Sequence, residues 1–196
     1  MGGARSDASA SRSGQSDPRA DRSRAAPLDS ARQLLIDEGW DAVTQVRVAA
    51  HAGLGRAPIY RHWPHTADLL LDVIEAEIPS VQVESTDDLR RDLTAMLKAI
   101  RAQLTDQGLA RVLATLVDRA EWDEDLRRHK AGIVAAATET LRNRLRRAVA
   151  DGEIDRGANL ERAVDQLVGP LVYRRLISEA STGAGWLSGL IDDFLR

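Results

Sequence analysis

Thr44-Gln45-Val46-Arg47-Val48-Ala49-Ala50-His51-Ala52-Gly53-Leu54-Gly55-Arg56-Ala57-Pro58-Ile59-Tyr60-Arg61-His62-Trp63 reads as two short helices joined by a tight glycine turn. Val48, Ala49 and Ala52 give the first helix one small apolar face, and Gly53 follows where a positive φ would end it. A bulkier residue at Ala49 would hold the two helices apart. Leu54 is expected to return to the core. Ile59 and Trp63 stand one turn apart on the second helix, which leaves Tyr60, Arg61 and His62 to project outward. A row of cationic and hydrogen-bonding aromatic groups suits phosphates and base edges. The structural alternative is an ordinary helical hairpin with a solvated charged face.

The flanks support a compact unit over residues 28–78. Leu28, Ala31, Leu34 and Leu35 recur at helical spacing, and Gly39-Trp40 closes that helix before Thr44 caps the next. Pro64 stops the outward-facing helix. A fourth helix runs from about Thr66 through Leu69, Leu70, Val73 and Ile74. Before this unit, residues 1–27 are dominated by Ser, Ala, Arg and Gly, which cannot build a packed core, so a disordered arm is expected there. Arg19, Arg22 and Arg24 lie near its end, as an arm reaching phosphate or minor groove would have them, or as incidental charge on a tail.

Residues 79–196 read as a second, larger helical domain. No proline falls between Pro79 and Pro170, and Leu, Ala, Arg and Glu dominate, which favours long helices. Five are expected. Stripes run through Leu89, Leu93, Met96, Leu97, Ile100 and Leu104, then through Leu109, Val112, Leu113, Leu116 and Val117. Asp123 should cap a long third helix ending at Gly152, and Asn159 a fourth that carries Pro170 in its middle. The last repeats Leu187, Leu190, Ile191, Phe194 and Leu195. The fold class is therefore all-α, with about nine helices.

Composition excludes several classes. The 196 residues carry a formal net charge of -3 and no cysteine, so disulfides and thiolate metal sites are out and a reducing, cytoplasmic setting is the default expectation. No apolar run is long enough for a membrane helix, and no signal-peptide core precedes the first helix. The four histidines, His51, His62, His65 and His129, form no metal spacing and no Glu-x-x-His pair. No phosphate loop, nucleophile elbow or serine triad can be assembled. Neither an enzyme, a metal nor a cofactor is expected.

These segments together resemble the tetracycline-repressor (TetR) family of transcription regulators. The likeness lies in Leu28 to about Ile78, through Gly39-Trp40-Asp41-Ala42-Val43-Thr44, the turn from Ala49 to Gly53, Ile59-Tyr60-Arg61-His62-Trp63-Pro64 and Leu69-Leu70. It extends more loosely over Asp87 to Leu195, with Asp88-Leu89-Arg90-Arg91-Asp92-Leu93 and Leu167-Val168-Gly169-Pro170-Leu171-Val172-Tyr173-Arg174. The resemblance implies a three-helix helix-turn-helix domain followed by a ligand-binding and dimerisation domain. It implies a homodimer on a palindromic double-stranded operator, repression, and release by a small-molecule effector. A protein of this fold that binds ligand without specific DNA recognition is the alternative.

In this reading residues 57–62 enter the major groove. Tyr60 and His62 fix the backbone register, Arg56 and Arg61 supply charge, and Ala57 and Pro58 allow close approach, while Thr44, Gln45, Arg47 and Thr66 complete the contact set. The family usually has Arg where Val46 stands, an acid where Arg47 stands, Ser-Lys where Gly55-Arg56 stand, and Lys at Thr66. The basic group has thus moved roughly 100° around its helix. His65 stands where the family often has the serine that caps the fourth helix. The dimer face is expected at Leu160, Val164, Leu167, Val168, Leu171, Leu187, Leu190, Ile191 and Phe194, unless those side chains simply close the monomer core. A bend at Pro170 is expected to turn Tyr173, Leu176 and Ile177 toward an effector cavity bounded by Met96, Ile100, Leu113, Leu116, Val117, Trp122, Ile133 and Ala137, although such a stripe can equally be plain core.

Overall fold

The computed structural model describes residues 18–78 and 82–196, and these form nine α-helices and one 3-10 turn with no strand among them. The first is α1 (Pro18–Glu38), followed by the 3-10 turn Trp40–Ala42, α2 (Gln45–His51), α3 (Arg56–His62) and α4 (Thr66–Glu77). The second group is α5 (Leu89–Thr105), α6 (Gln107–Ala120), α7 (Glu124–Asp151), α8 (Leu160–Leu176) and α9 (Ala184–Phe194).

Helix α1 starts ten residues before the expected boundary at Leu28, so 18–27 are helical and only 1–17 of the arm lie outside the described residues. Pro27 is buried inside the helix. The preceding turn is held by Arg24, whose guanidinium pairs with Asp72 of α4 and lies over the Trp63 ring, 5.4 Å from its centroid. Arg24 is thus committed to the fold, and it leaves the reading of an arm reaching for DNA. The side chains of Arg19 and Arg22 lie outside the described residues.

Local chemistry accounts for most helix boundaries. The side chains of Asp88, Asp106, Asp123 and Asn159 each accept a backbone N–H from the first turn of α5, α6, α7 and α8. Gly39 ends α1 at φ 90°, ψ -177°, a conformation open essentially to glycine alone. At His65 the Asp68 carboxylate of the first turn accepts the backbone N–H at 3.2 Å, so the start of α4 is served from within the helix.

Two cores form, and they share a wall. The first gathers Ala31, Leu34 and Leu35 of α1, Val48 and Ala49 of α2, Ile59 of α3, Trp63, and Leu69, Leu70, Val73 and Ile74 of α4. Val112 and Leu116 of α6 and Ile133 of α7 complete it, so packing crosses the division expected at 78/79. The other core joins α5, α7, α8 and α9. Within it Arg144, 3% exposed, donates from Nε to Asp92, 1% exposed, at 2.5 Å, and from its terminal nitrogens to Glu153 at 2.7 and 3.1 Å. Thr86 donates its backbone N–H at 2.9 Å and its hydroxyl at 2.7 Å to the same Asp92 carboxylate, tying the segment before α5 to the bundle. Burial favours the neutral acid at Asp92, but the bonds from Arg144 and Thr86 outweigh it and hold the carboxyl below its ordinary range.

Two expectations change on packing. Leu54 does not return to the core but stays 40% exposed, because the turn uses its backbone rather than its side chain. Val164, Leu167, Leu171, Leu187 and Ile191, read as a face toward a second subunit, are buried in this chain's own core. Leu160, Val168, Leu190 and Phe194 are half-buried against it. The reason is that α8 lays its apolar stripe on α5 and α7, and α9 lays its own on α5 and α8.

Candidate nucleic-acid interface

Thr44 is extended, and its hydroxyl accepts the Arg47 backbone N–H at 3.2 Å, which starts α2. The helix leaves through Gly53 at φ 66°: Leu54 N–H donates to Ala49 C=O at 2.9 Å and Gly53 N–H to Ala50 C=O at 3.2 Å. That pair of bonds needs a left-handed residue at position 53, which is the physical meaning of its glycine. Ala49, 1% exposed, lets α3 cross close to α2.

Helix α3 is short and is positioned by what flanks its outward face. Ile59 and Trp63 are fully buried, and the Trp63 indole N–H donates to Asp72 at 2.8 Å. The Gln45 amide lies inside, donating to the carbonyls of Trp63 at 3.1 Å and Pro64 at 2.9 Å and accepting the Thr66 hydroxyl at 2.9 Å. These bonds satisfy carbonyls at the α3–α4 corner that the helix ladder leaves open. Gln45 and Thr66, expected at the DNA, therefore act on the orientation of α3, and Gln45 leaves the contact set because its side chain is buried with both amide hydrogens donated within the fold. Polar residues at α2 N1 and α4 N1 are equally at home on a surface, so the sequence carried no signal for this bridge.

The remaining expected residues gather on one surface. Arg56, Ala57, Tyr60 and Arg61 are exposed; Pro58 and His62 are half-buried, with the His62 ring 5.6 Å from that of Trp63. Among the described residues neither Arg56 nor Arg61 is paired with a carboxylate. Arg47 differs. It donates to Glu38 at the end of α1 at 2.7 Å, and this bond holds the Glu38 carboxyl below its ordinary range and the guanidinium above its own. Val46 points outward at 38% exposure, and Thr44 is half-buried by its capping role.

A second feature lies between α5, α6, α7 and α8, a cavity of about 160 Å³. Six expected residues line it: Ile100, Leu113, Leu116, Val117, Ile133 and Ala137. Met96 is buried elsewhere in the bundle, and Trp122 stands 86% exposed in the α6–α7 turn. Tyr173 and Ile177 face solvent at 58% and 70%, while Val168 and Val172 line the cavity instead. Helix α8 continues through Pro170, and positions 173 and 177 fall on the stripe next to 168 and 172, roughly 100° around the axis. Among the described residues no helix is long and apolar enough to cross a membrane, and no cluster of potential metal ligands occurs.

Residues 28–73 match the family model for bacterial regulatory proteins of the tetR family, and residues 83–194 the model for a tetracyclin repressor-like C-terminal domain. The chain is 31% identical over 179 residues to the DNA-binding transcriptional repressor TetR of Mycobacteroides abscessus, covering 87% of this chain and 90% of that one. It is 30% identical over 166 residues to the HTH-type transcriptional regulator Rv1556 of Mycobacterium tuberculosis, covering 83% and 81%. The crystal structure of the regulator SCO0332 superposes with a TM-score of 0.63 at 28% identity, covering 89% of this chain and 97% of that one.

Proposed function

The chain belongs to the TetR family of bacterial helix-turn-helix transcription regulators, and from that premise we propose that it is a ligand-responsive repressor that binds a palindromic operator as a homodimer. The observation that carries the reading is α3 itself. Ile59 and Trp63 lock one face into the core, while Tyr60, Arg61 and Arg56 stand exposed on the other. Two copies laid into successive major grooves would sit roughly 34–36 Å apart. Arg56 and Arg61 take phosphates, Tyr60 and His62 set the register, and Ala57 and Pro58 let the helix approach the base edges. Thr44 and Thr66 act behind them on the placement of α2 and α3. Arg47 joins only by leaving Glu38.

Pairing of two subunits uses what α8 and α9 leave outside. On α8 these are Arg162, Asp165, Gln166, Gly169 and Tyr173, and on α9 Gly185 and Ser188. Among the described residues, apart from the helix's own neighbouring turns, nothing lies within 4 Å of a side chain added at Gly169 or Gly185, so backbones of two copies can approach closely there. Leu160, Val168, Leu190 and Phe194 border this face.

Effector control follows from the shared wall. Leu116 and Ile133 line the cavity and also belong to the core that holds α1 and α4. Helix α6 is fastened to the N-terminal unit as well: Arg111 donates to the Ile36 carbonyl at 2.9 Å, and Arg119 to Asp41 at 2.9 and 3.0 Å. At Gly108 an added Cβ would meet Ile36 Cδ1 at 2.8 Å, so α6 and α1 are in close contact. A ligand that displaces α6 therefore shifts α1, and through α4 the separation of the two α3 helices. It favours the state it binds more tightly.

The test is a titration of labelled duplexes selected from a random pool, at several salt concentrations, with light scattering to give the mass of the free and bound protein. A dimer whose affinity falls steeply with salt and prefers near-palindromic sites is the expected result. A monomer indifferent to duplex DNA would refute it.

A further inference from the structure

The α5–α8 cavity, taken as the effector site on the reading above, also limits what the effector can be. We infer that it is an uncharged, apolar molecule whose buried part is about the size of a single aromatic ring. Leu, Ile, Val and Ala side chains supply nearly all of the surface, with Ile100 from α5, Leu113, Leu116 and Val117 from α6, and Ile133 and Ala137 from α7.

Polar atoms make up almost none of the cavity wall. The Thr138 hydroxyl donates to the Val134 carbonyl at 2.8 Å, the Lys130 ammonium faces Glu121 at 3.9 Å, and Gln103 has an interaction of its own. A carboxylate, an ammonium or a polyhydroxyl compound would lose its water on entering and meet a wall almost devoid of polar atoms, a cost that apolar walls cannot offset. An apolar ligand loses nothing of that kind and gains the area it buries.

Size follows from volume. An enclosed apolar cavity of about 150 Å³ lined by Leu, Ile and Phe stays dry and takes up benzene. The cavity here, about 160 Å³ with the same class of lining, matches that scale. Its open side is edged by the half-exposed Val117, Val134 and Val172, so the way in is apolar too.

The experiment uses the full chain in sealed cells, with thermal unfolding recorded against toluene and cyclohexane, and against benzoate and benzylamine at matched concentration. The hydrocarbons are expected to raise the melting temperature progressively and the charged analogues to leave it unmoved. Ala137→Phe, which fills the cavity, should lose at least tenfold in toluene affinity. Leu113→Ala, which enlarges it, should shift preference from toluene toward p-xylene, and this second variant keeps the test valid if the first folds poorly. Stabilisation by benzoate or benzylamine equal to that by toluene would overturn the inference, as would hydrocarbon binding that Ala137→Phe leaves intact, or no hydrocarbon binding at all. The duplex titration separates the two readings. Salt-dependent DNA binding without hydrocarbon binding sinks the ligand class alone, and hydrocarbon binding that leaves DNA affinity unchanged upholds the ligand class and sinks effector control.

Discussion

Arg61→Ala should change the salt dependence of DNA binding more than it changes the preferred sequence. Arg61 is exposed on α3 and is held by no carboxylate among the described residues, so its charge is available to a phosphate. Each phosphate neutralised contributes about 0.9 to the slope of log K against log salt, and a dimer presents the residue twice, so the variant should lose about 1.8 from the slope. Between 50 and 200 mM salt that difference amounts to about 12-fold: the advantage of the unmodified protein over the variant should shrink by this factor across the range. Fluorescence anisotropy on one selected duplex and one scrambled duplex, each at four or more salt concentrations, gives the slopes directly. Both duplexes should lose affinity alike, because a phosphate contact carries no base information. Parallel salt lines for the variant and the unmodified protein would refute the placement of Arg61 at the DNA backbone, whatever the absolute affinities.

Glu38→Gln should release Arg47 from its partner and raise duplex affinity, with a slope steeper by up to about 1.8 for the dimer; an unchanged slope in the same anisotropy titration would mean that Arg47 never reaches a phosphate. Gln45→Leu should cost about 1–3 kcal/mol in urea unfolding, since it strips donors from two carbonyls at the α3–α4 corner, and a variant as stable as the parent would show that the bridge contributes nothing. For the buried network, Arg144→Met should destabilise by about 3–5 kcal/mol at neutral pH because Asp92 is left charged and unpaired. Asp92 is held below its ordinary range in the folded state, so its contribution is complete above about pH 4 and is lost as pH falls through the folded value; Asp92→Asn should flatten that acid limb of the stability curve.

Much of this molecule was legible one residue at a time. Caps at Thr44, Asp123 and Asn159, the stop at Pro64 and the stripes of α4 to α7 are local: each depends on backbone geometry within a turn or two, so residue type and spacing suffice. Gly53 belongs with them, because a left-handed residue between two short helices leaves few alternatives. The outward row Tyr60-Arg61 was legible for the same reason, once Ile59 and Trp63 had defined the inward one. Residues whose partners lie far along the chain were not. Gln45 reads as a surface amide until Trp63, Pro64 and Thr66 are folded around it, and Arg24 reads as part of a basic tail until Asp72 and Trp63 arrive beside it.

Sequence alone settled that the fold class is all-α and that residues 44–63 form a two-helix unit, because helical periodicity, capping chemistry and a glycine corner act over distances shorter than the elements they define. Tertiary structure alone decided which side of each apolar stripe meets a neighbour. An unbroken row on α8 satisfies a second subunit, a ligand or its own bundle equally well, and only the lengths and crossing of α5 and α7 assign Leu167 and Leu171 to the core, Val168 and Val172 to a cavity, and Tyr173 to water. The same long-range packing put Leu116 and Ile133 both on the wall of an internal cavity and in the core that seats α3.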